Sequence, residues 1–226
     1  MSRQFHGKVF CIGANKSGTT SIGAAVESLG YRLGIQTAAE PLFYQWAAGR
    51  FDGIIDYCRD ADAFQDIPFS LEGTYRALDA AFPGSKFILT VRDSPEQWHR
   101  SLVRFHTQIL GRDREPTAAD LREFVYCGPG WLWDVMRLAF GSEADAVYDR
   151  DRLVSRYVAH NRAVLDYFCD RPDDLLVLNL SRPDSMELLC GFLGVEWTEE
   201  MRMPHLNRSR PMPQPVDLVD RAVTSA

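Results

Sequence analysis

The stretch Val9–Ile22, VFCIGANKSGTTSI, decides how the rest of the chain is read. A short apolar run ends in glycine, a loop of small polar residues follows, and Gly-Thr-Thr opens a segment with the composition of a helix. Strand, glycine-rich loop, helix: that is the build of a phosphate-binding loop. Gly13 and Gly18 have the spacing of the nucleotidase signature G-x-x-x-x-G-K-[ST], but Thr19 follows Gly18, and the lysine, Lys16, lies inside the loop. A lysine after the second glycine reaches the outer phosphates of a nucleoside triphosphate. One placed ahead of it must meet something else.

Working outward, Lys8–Gly13 (KVFCIG) is expected to be a buried strand and Gly18–Leu29 the helix after it, with Gly30 in the stop position. Leu42–Ala48 has the pattern of a short helix, Ala61–Ile67 (ADAFQDI) of a second strand ended by Pro68, and Leu71–Phe82 of an amphipathic helix. Lys86–Val91 (KFILTV) is the clearest strand, followed by Arg92-Asp93 and a helix from Pro95 to Leu110. Gly111–Thr117 (GRDREPT) reads as an exposed charged loop, and Tyr126–Trp133 (YCGPGWLW) as an aromatic, glycine-rich loop lining a cleft. Asp151–Cys169 is predicted as a long helix with Leu153, Tyr157, Val164, Leu165 and Phe168 on its apolar face. Leu175–Leu180 reads as another buried strand, Met186–Leu193 as a helix stopped by Gly194, and the end from Pro204 as irregular. Strands alternating with helices imply a three-layer α/β/α fold with a mostly parallel sheet, P-loop-like, in one domain over residues 1–226 with its core at about 8–207.

Composition narrows the function classes. With 226 residues, 46% hydrophobic and 25% charged, the chain has the make-up of a soluble globular protein. A net charge of −6 argues against a nucleic-acid partner while leaving room for a local basic pocket. The five cysteines, Cys11, Cys58, Cys127, Cys169 and Cys190, contain no C-x-x-C pair and read as buried reduced thiols, neither a disulfide framework nor a metal site. No apolar run approaches the ~18–20 residues of a membrane helix, and MSRQFHGKVF leaves no room for a signal peptide's apolar region. A cytoplasmic protein without a membrane partner is the expectation.

In open α/β sheets ligands sit beyond the carboxyl ends of the strands, and two strand ends here carry polar signatures. After Gly13, backbone N–H groups left free at the helix start point to one spot, where the helix dipole also favours an anion. Asn15, Ser17, Thr19, Thr20 and Ser21 add hydroxyl and amide donors. At the second end, VRDSPEQWHRS, Ser94 and Gln97 form a capping-box-like pattern, and Arg92 is placed to make a bidentate contact with a second anion or to pair with Asp93. Two anion sites at the ends of two parallel strands suit a nucleotide phosphorylated at both its 3′ and 5′ ribose positions.

On these two motifs, KVFCIGANKSGTTSI and KFILTVRDSPEQWHRSL, the chain resembles sulfotransferases that use 3′-phosphoadenosine 5′-phosphosulfate (PAPS). QDIPF, the YVAHNRAVLDYFCDRPDDLLVLNL unit, GFLGV and PHLN extend the resemblance to bacterial sulfotransferase-domain proteins over most of residues 8–207. The resemblance implies that Lys16 contacts the oxygen bridging phosphate and sulfate and stabilises the leaving bisphosphate. It further implies that Ser17, Gly18, Thr19 and Thr20 hold the 5′-phosphate, Arg92 and Ser101 hold the 3′-phosphate, and no metal is required. The family often has the serine eight residues after the arginine; Arg100 stands there, so Arg100 or Ser101 fills the role.

The acceptor side is less defined. Transfer to a hydroxyl needs a base, and QDIPF puts Asp66 where well-studied cytosolic members have a histidine before Leu-Pro. Glu40, spaced from Lys16 like the glutamate of heparan-type enzymes, and His106 are the other candidates. Tyr126, Trp131 and Trp133 are candidates for lining an acceptor pocket or filling a core, and Arg182, Arg208 and Arg210 for sealing the 3′-phosphate. The expected partner is a small-molecule or carbohydrate acceptor with a hydroxyl or amine, and no segment carries a pattern specific to one acceptor or oligomeric state. Two other readings stay open: a P-loop kinase of a small metabolite, and a non-catalytic nucleotide-binding protein.

Overall fold

The computed structural model describes residues 5–204 and 206. Four strands, β1 (Val9–Cys11), β2 (Ala63–Phe64), β3 (Lys86–Val91) and β4 (Leu175–Asn179), form one sheet in the order β2-β1-β3-β4. All pairings are parallel, with Phe10 opposite Phe64 and Phe87, and Val91 opposite Asn179. The helices are α1 (Thr19–Ser28), α2 (Gln36–Ala39), α3 (Phe43–Ala47), α4 (Asp52–Tyr57), α5 (Thr74–Ala81), α6 (Pro95–Ile109), α7 (Ala118–Glu123), α8 (Trp131–Phe140), α9 (Arg150–Tyr167) and α10 (Ser185–Leu193). A 3-10 turn, Glu40–Leu42, joins α2 to α3.

The two-residue period of the strands divides the core. Val9, Cys11 and Ile88 pack with Ile22, Ala25 and Val26 of α1 and Leu189 and Leu193 of α10. Phe10, Ile12, Phe87 and Leu89 face the other way, onto Ile54 of α4, Tyr75 and Leu78 of α5, Val164 of α9 and Phe168 at its C-terminal end. Helices thus cover both faces of a parallel sheet, the three-layer α/β/α arrangement that strand–helix alternation predicts. A third cluster, built from Trp98, Leu102, Leu121, Trp131, Met136, Leu153 and Tyr157, joins α6 to α9 into a helical annex.

Several expectations need correction. The strand expected over Ala61–Ile67 is only Ala63–Phe64, because Asp66 adopts a left-handed backbone (φ 61°) that turns the chain away from the sheet. The helix expected from Leu71 starts at Thr74, after Gly73 at φ 78°. Tyr126–Trp133 is not loop throughout: α8 begins at Trp131, and Trp131 and Trp133 point into the annex core. Leu175–Leu180 is not a buried strand; β4 lies at the sheet edge with Val177 exposed. All the cysteines are free; Cys11, Cys58 and Cys190 are buried as expected, but Cys127 is half-buried and Cys169 exposed. Among the described residues no helix is long and apolar enough to cross a membrane.

Candidate active site

The β1–α1 loop needs its two glycines for different reasons. A Cβ on Gly13 would stand 2.1 Å from Thr90 Oγ1 and 2.5 Å from the Thr90 backbone nitrogen, so the end of β1 presses against β3 where only hydrogen fits. Gly18 has φ 113°, which L side chains rarely adopt, and a Cβ there would lie 2.8 Å from Leu180 Cδ2. Lys16 is itself left-handed, at φ 67°.

Three consecutive loop residues are tied to the β3–α6 segment. Trp98 Nε1 donates to the Asn15 carbonyl (2.8 Å). Arg92 donates through Nε (2.9 Å) and Nη2 (2.6 Å) to the Lys16 carbonyl. Ser17 Oγ donates to the Ala14 carbonyl (2.5 Å) and lies 2.5 Å from Thr90 Oγ1, so Thr90 supplies the proton of that second bond. The Ser17 hydroxyl is therefore consumed inside the loop. What faces the cleft is the start of α1, which no side chain caps, the kind of helix end at which anions bind.

Lys16 and Gly18–Ser21 form one wall of a cleft of about 480 Å³, counting its open mouth. The facing wall is Arg92 with Ser101, Arg104, Phe105 and Gln108, which share one face of α6 by their i, i+3, i+4, i+7 spacing. Leu206 closes a side, its N–H donating to Ser21 Oγ (3.1 Å). The Ser94 cap forms as the pattern predicts, accepting from the Gln97 N–H at 3.1 Å. Asp93 is bonded by Asn179 and Gln97, and among the described residues Arg92 forms no ion pair. Of the two residues offered for the serine role, Ser101 lines the cleft and Arg100 is exposed outside it. Asn15 faces away, into a separate hollow with Tyr157 and His160. Arg182 is exposed and bonded to Asp184, while His205, Arg208 and Arg210 lie outside the described residues.

Beside the tip of Lys16 lie the acids. Burial lowers the Lys16 pKa, the charges of Asp66 and Glu40 counter that effect, and Arg92 adds to it. The Lys16 ammonium sits 3.2 Å from the centre of the Phe105 ring. Asp66 Oδ1 accepts from the Ile67 N–H (3.0 Å) and Oδ2 from the Thr19 hydroxyl (3.4 Å). Glu40 is 9% exposed, and its Oε1 accepts from the Tyr126 hydroxyl at 3.1 Å. Burial first, and the Asp66 charge second, push its pKa up to about 7. Tyr126 in turn stacks on Trp131 at 5.4 Å. His106 is buried with Nδ1 2.8 Å from the Tyr148 hydroxyl, and burial together with Lys16 pushes its pKa down to about 3. Sequence reasoning overlooked Thr90, Trp98, Arg104 and Phe105. The signals were present: Thr90 is the one polar residue within the apolar run Phe87–Val91, and Arg104 and Phe105 have helical spacing from Ser101.

A cleft lined by Lys16, Arg92 and Arg104 between two parallel strand ends has the charge to receive an anion, and the comparisons name the class of protein. The family model for the sulfotransferase domain matches residues 8–212, so the chain belongs to the sulfotransferase-domain family. Sulfuryl transfer from a sulfonate donor is the general activity that membership carries. A search of curated proteins gave no match.

Proposed function

We propose that the protein transfers the sulfuryl group of PAPS to a hydroxyl, or an amine, of a small-molecule or carbohydrate acceptor. The observation that carries this reading is the single cleft shared by two motifs some 75 residues apart, with Lys16 and the α1 N-terminus on one wall and Arg92 and Ser101 on the other. The residues fit such a donor. The uncapped start of α1 offers N–H groups to a 5′-phosphate. Arg92, Arg104 and Ser101 offer charge and a hydroxyl to a 3′-phosphate. Bound there, the donor supplies an activated sulfuryl group.

The chain's own residues account for the remaining steps. Lys16 carries its positive charge to the oxygen that becomes negative as the S–O bond to phosphate breaks. No lysine is needed after Gly18, since there are no outer phosphates to clamp. The acceptor oxygen forms the new S–O bond, and its proton passes to the Glu40–Asp66 pair. Glu40 is the better proton acceptor of the two: with a pKa of about 7 it is poised near neutral pH, held there by burial first and the Asp66 charge second. His106, held near 3 and bonded to Tyr148, is a weak base. We place the reaction in the cytoplasm, as the sequence leads one to expect.

Titration calorimetry separates the donor classes. The protein should bind 3′,5′-bisphosphoadenosine at least tenfold more tightly than AMP, and without Mg²⁺. Tighter binding of Mg·ATP, with no contribution from a 3′-phosphate, would overturn this reading in favour of a kinase.

A further inference from the structure

The Lys16 ammonium has an unusual environment for a charge. Among the described residues it forms no ion pair, and it lies over the face of Phe105, with the ring centre 3.2 Å away. An aromatic face attracts a cation through its quadrupole, most strongly where water is excluded. Phe105 lies on the cleft-facing side of α6, four residues after Ser101, and forms part of the same wall. Its neighbour His106 packs away from the cleft against Tyr148.

We propose that Phe105 is the positioning residue for Lys16: its ring face holds the ammonium, charged and pointed into the donor cleft, until the bridging oxygen takes over that charge. The proposal rests on the donor reading above for its catalytic meaning, but not for its geometry. The charged and titratable groups around Lys16 are Asp66 and Glu40, which favour its charged form, and Arg92, Arg104 and His106 across the loop and on α6. Neither acid lines the cleft, whose charged groups besides Lys16 are Arg92 and Arg104, and Phe105 is the attractive surface there. Replacing it by leucine keeps an apolar side chain at this position and removes the quadrupole.

The chain has three lysines, Lys8, Lys16 and Lys86, so their side chains can be followed separately by NMR in protein labelled with 13C-lysine. In ligand-free Phe105→Leu, the titration midpoint of Lys16 should fall by about one pH unit, within the range of a buried cation–π contact, while Lys8 and Lys86 do not move. The kcat for transfer should fall about tenfold, with the alkaline limb of its pH profile displaced downward by the same amount, because activity is lost as Lys16 deprotonates. Affinity for 3′,5′-bisphosphoadenosine should stay within about threefold. Phe105→Tyr, which keeps the ring face, should restore all of these. An unmoved Lys16 midpoint in Phe105→Leu, or a Phe105→Tyr variant as impaired as the leucine variant, overturns the proposal. Failure of wild type to bind the bisphosphate would instead break the donor reading, leaving the Lys16 titration to decide the role of Phe105.

Discussion

The two sides of Lys16 are built on opposite principles. On the proposed donor side the backbone does the positioning. Asn15, Lys16 and Ser17 are each hydrogen-bonded from Trp98, Arg92 and Thr90, and the loop lies on β3 so closely that Gly13 admits no side chain. On the proposed acceptor side the groups are side chains on a 3-10 turn and an irregular segment. Glu40 is held by Tyr126, and Asp66 by its own left-handed backbone and the Thr19 hydroxyl. A phosphate needs a fixed array of donors, which a strand–helix junction supplies. A proton acceptor needs a tuned pKa, which burial and a neighbouring charge supply. The first demand restricts the backbone, the second only the environment of one carboxyl group.

The most direct way to break this contrast is at Lys16, where the two sides meet. In Lys16→Ala the leaving-group charge goes unmet, and kcat should fall by about 10³-fold, the scale of a lost transition-state contact. Affinity for the bisphosphate should change by less than about tenfold, since the α1 N-terminus and Arg92 remain. Steady-state kinetics set beside calorimetry give both numbers. Equal losses in the two would make Lys16 a simple binding residue.

Next in size is the acceptor side. In Glu40→Gln, kcat should fall by about 10²-fold. In the wild type, activity should decline as pH drops below about 7, where Glu40 takes up its proton. Asp66→Asn then separates the two carboxyls. If Glu40 is the base, removing the Asp66 charge lowers its pKa and moves that limb to lower pH. If Asp66 is the base, activity collapses without such a displacement. Stability should move against activity. The folded pKa of about 7 lies above the ordinary 4.5, so the protonated form is the favoured one in the fold. That contribution is present below 4.5 and lost as pH rises through 7. At pH 8 Glu40→Gln should therefore be more stable than wild type, by on the order of 2 kcal/mol in denaturant unfolding.

The same contrast explains what was legible in the sequence. Gly13, Lys16, Gly18 and Arg92 stand at strand ends, where spacing along the chain nearly fixes position in space, and β3 coincides with its expected bounds. Ser17 looked like a ligand because its type fits one, yet its hydroxyl is used within the loop; residue type does not reveal which way a side chain faces. Asn15 misleads in the same way, since its side chain lies behind the loop. Asp66 and Glu40 were two candidates among three, and nothing local links them. Their relation arises only when the turn after β2 brings them together, 26 residues apart in sequence. Arg104 and Phe105 were one helical turn from a residue already in view, but α6 had to be aimed at the cleft before that spacing carried meaning.

The smallest effect tests the backbone half of the comparison. Thr90→Val is nearly isosteric, so the contact between Gly13 and β3 survives, and only the hydroxyl that donates to Ser17 is lost. Ser17 keeps its bond to the Ala14 carbonyl, but its buried oxygen loses the proton it accepts. That loss should cost about 1 kcal/mol, which in a chain of this size lowers Tm by about 3 °C. If the loop is positioned by its backbone ties, the loosened segment should raise the donor KM about three- to fivefold and leave the acceptor KM unchanged, because Glu40 and Asp66 do not touch this bond. A fall in Tm with no change in donor KM would mean that the ties serve the fold alone, and that the cradle is set by the α1 N-terminus without help from β3. A rise in both KM values would dissolve the contrast itself, since loop and acceptor groups would then move as one unit.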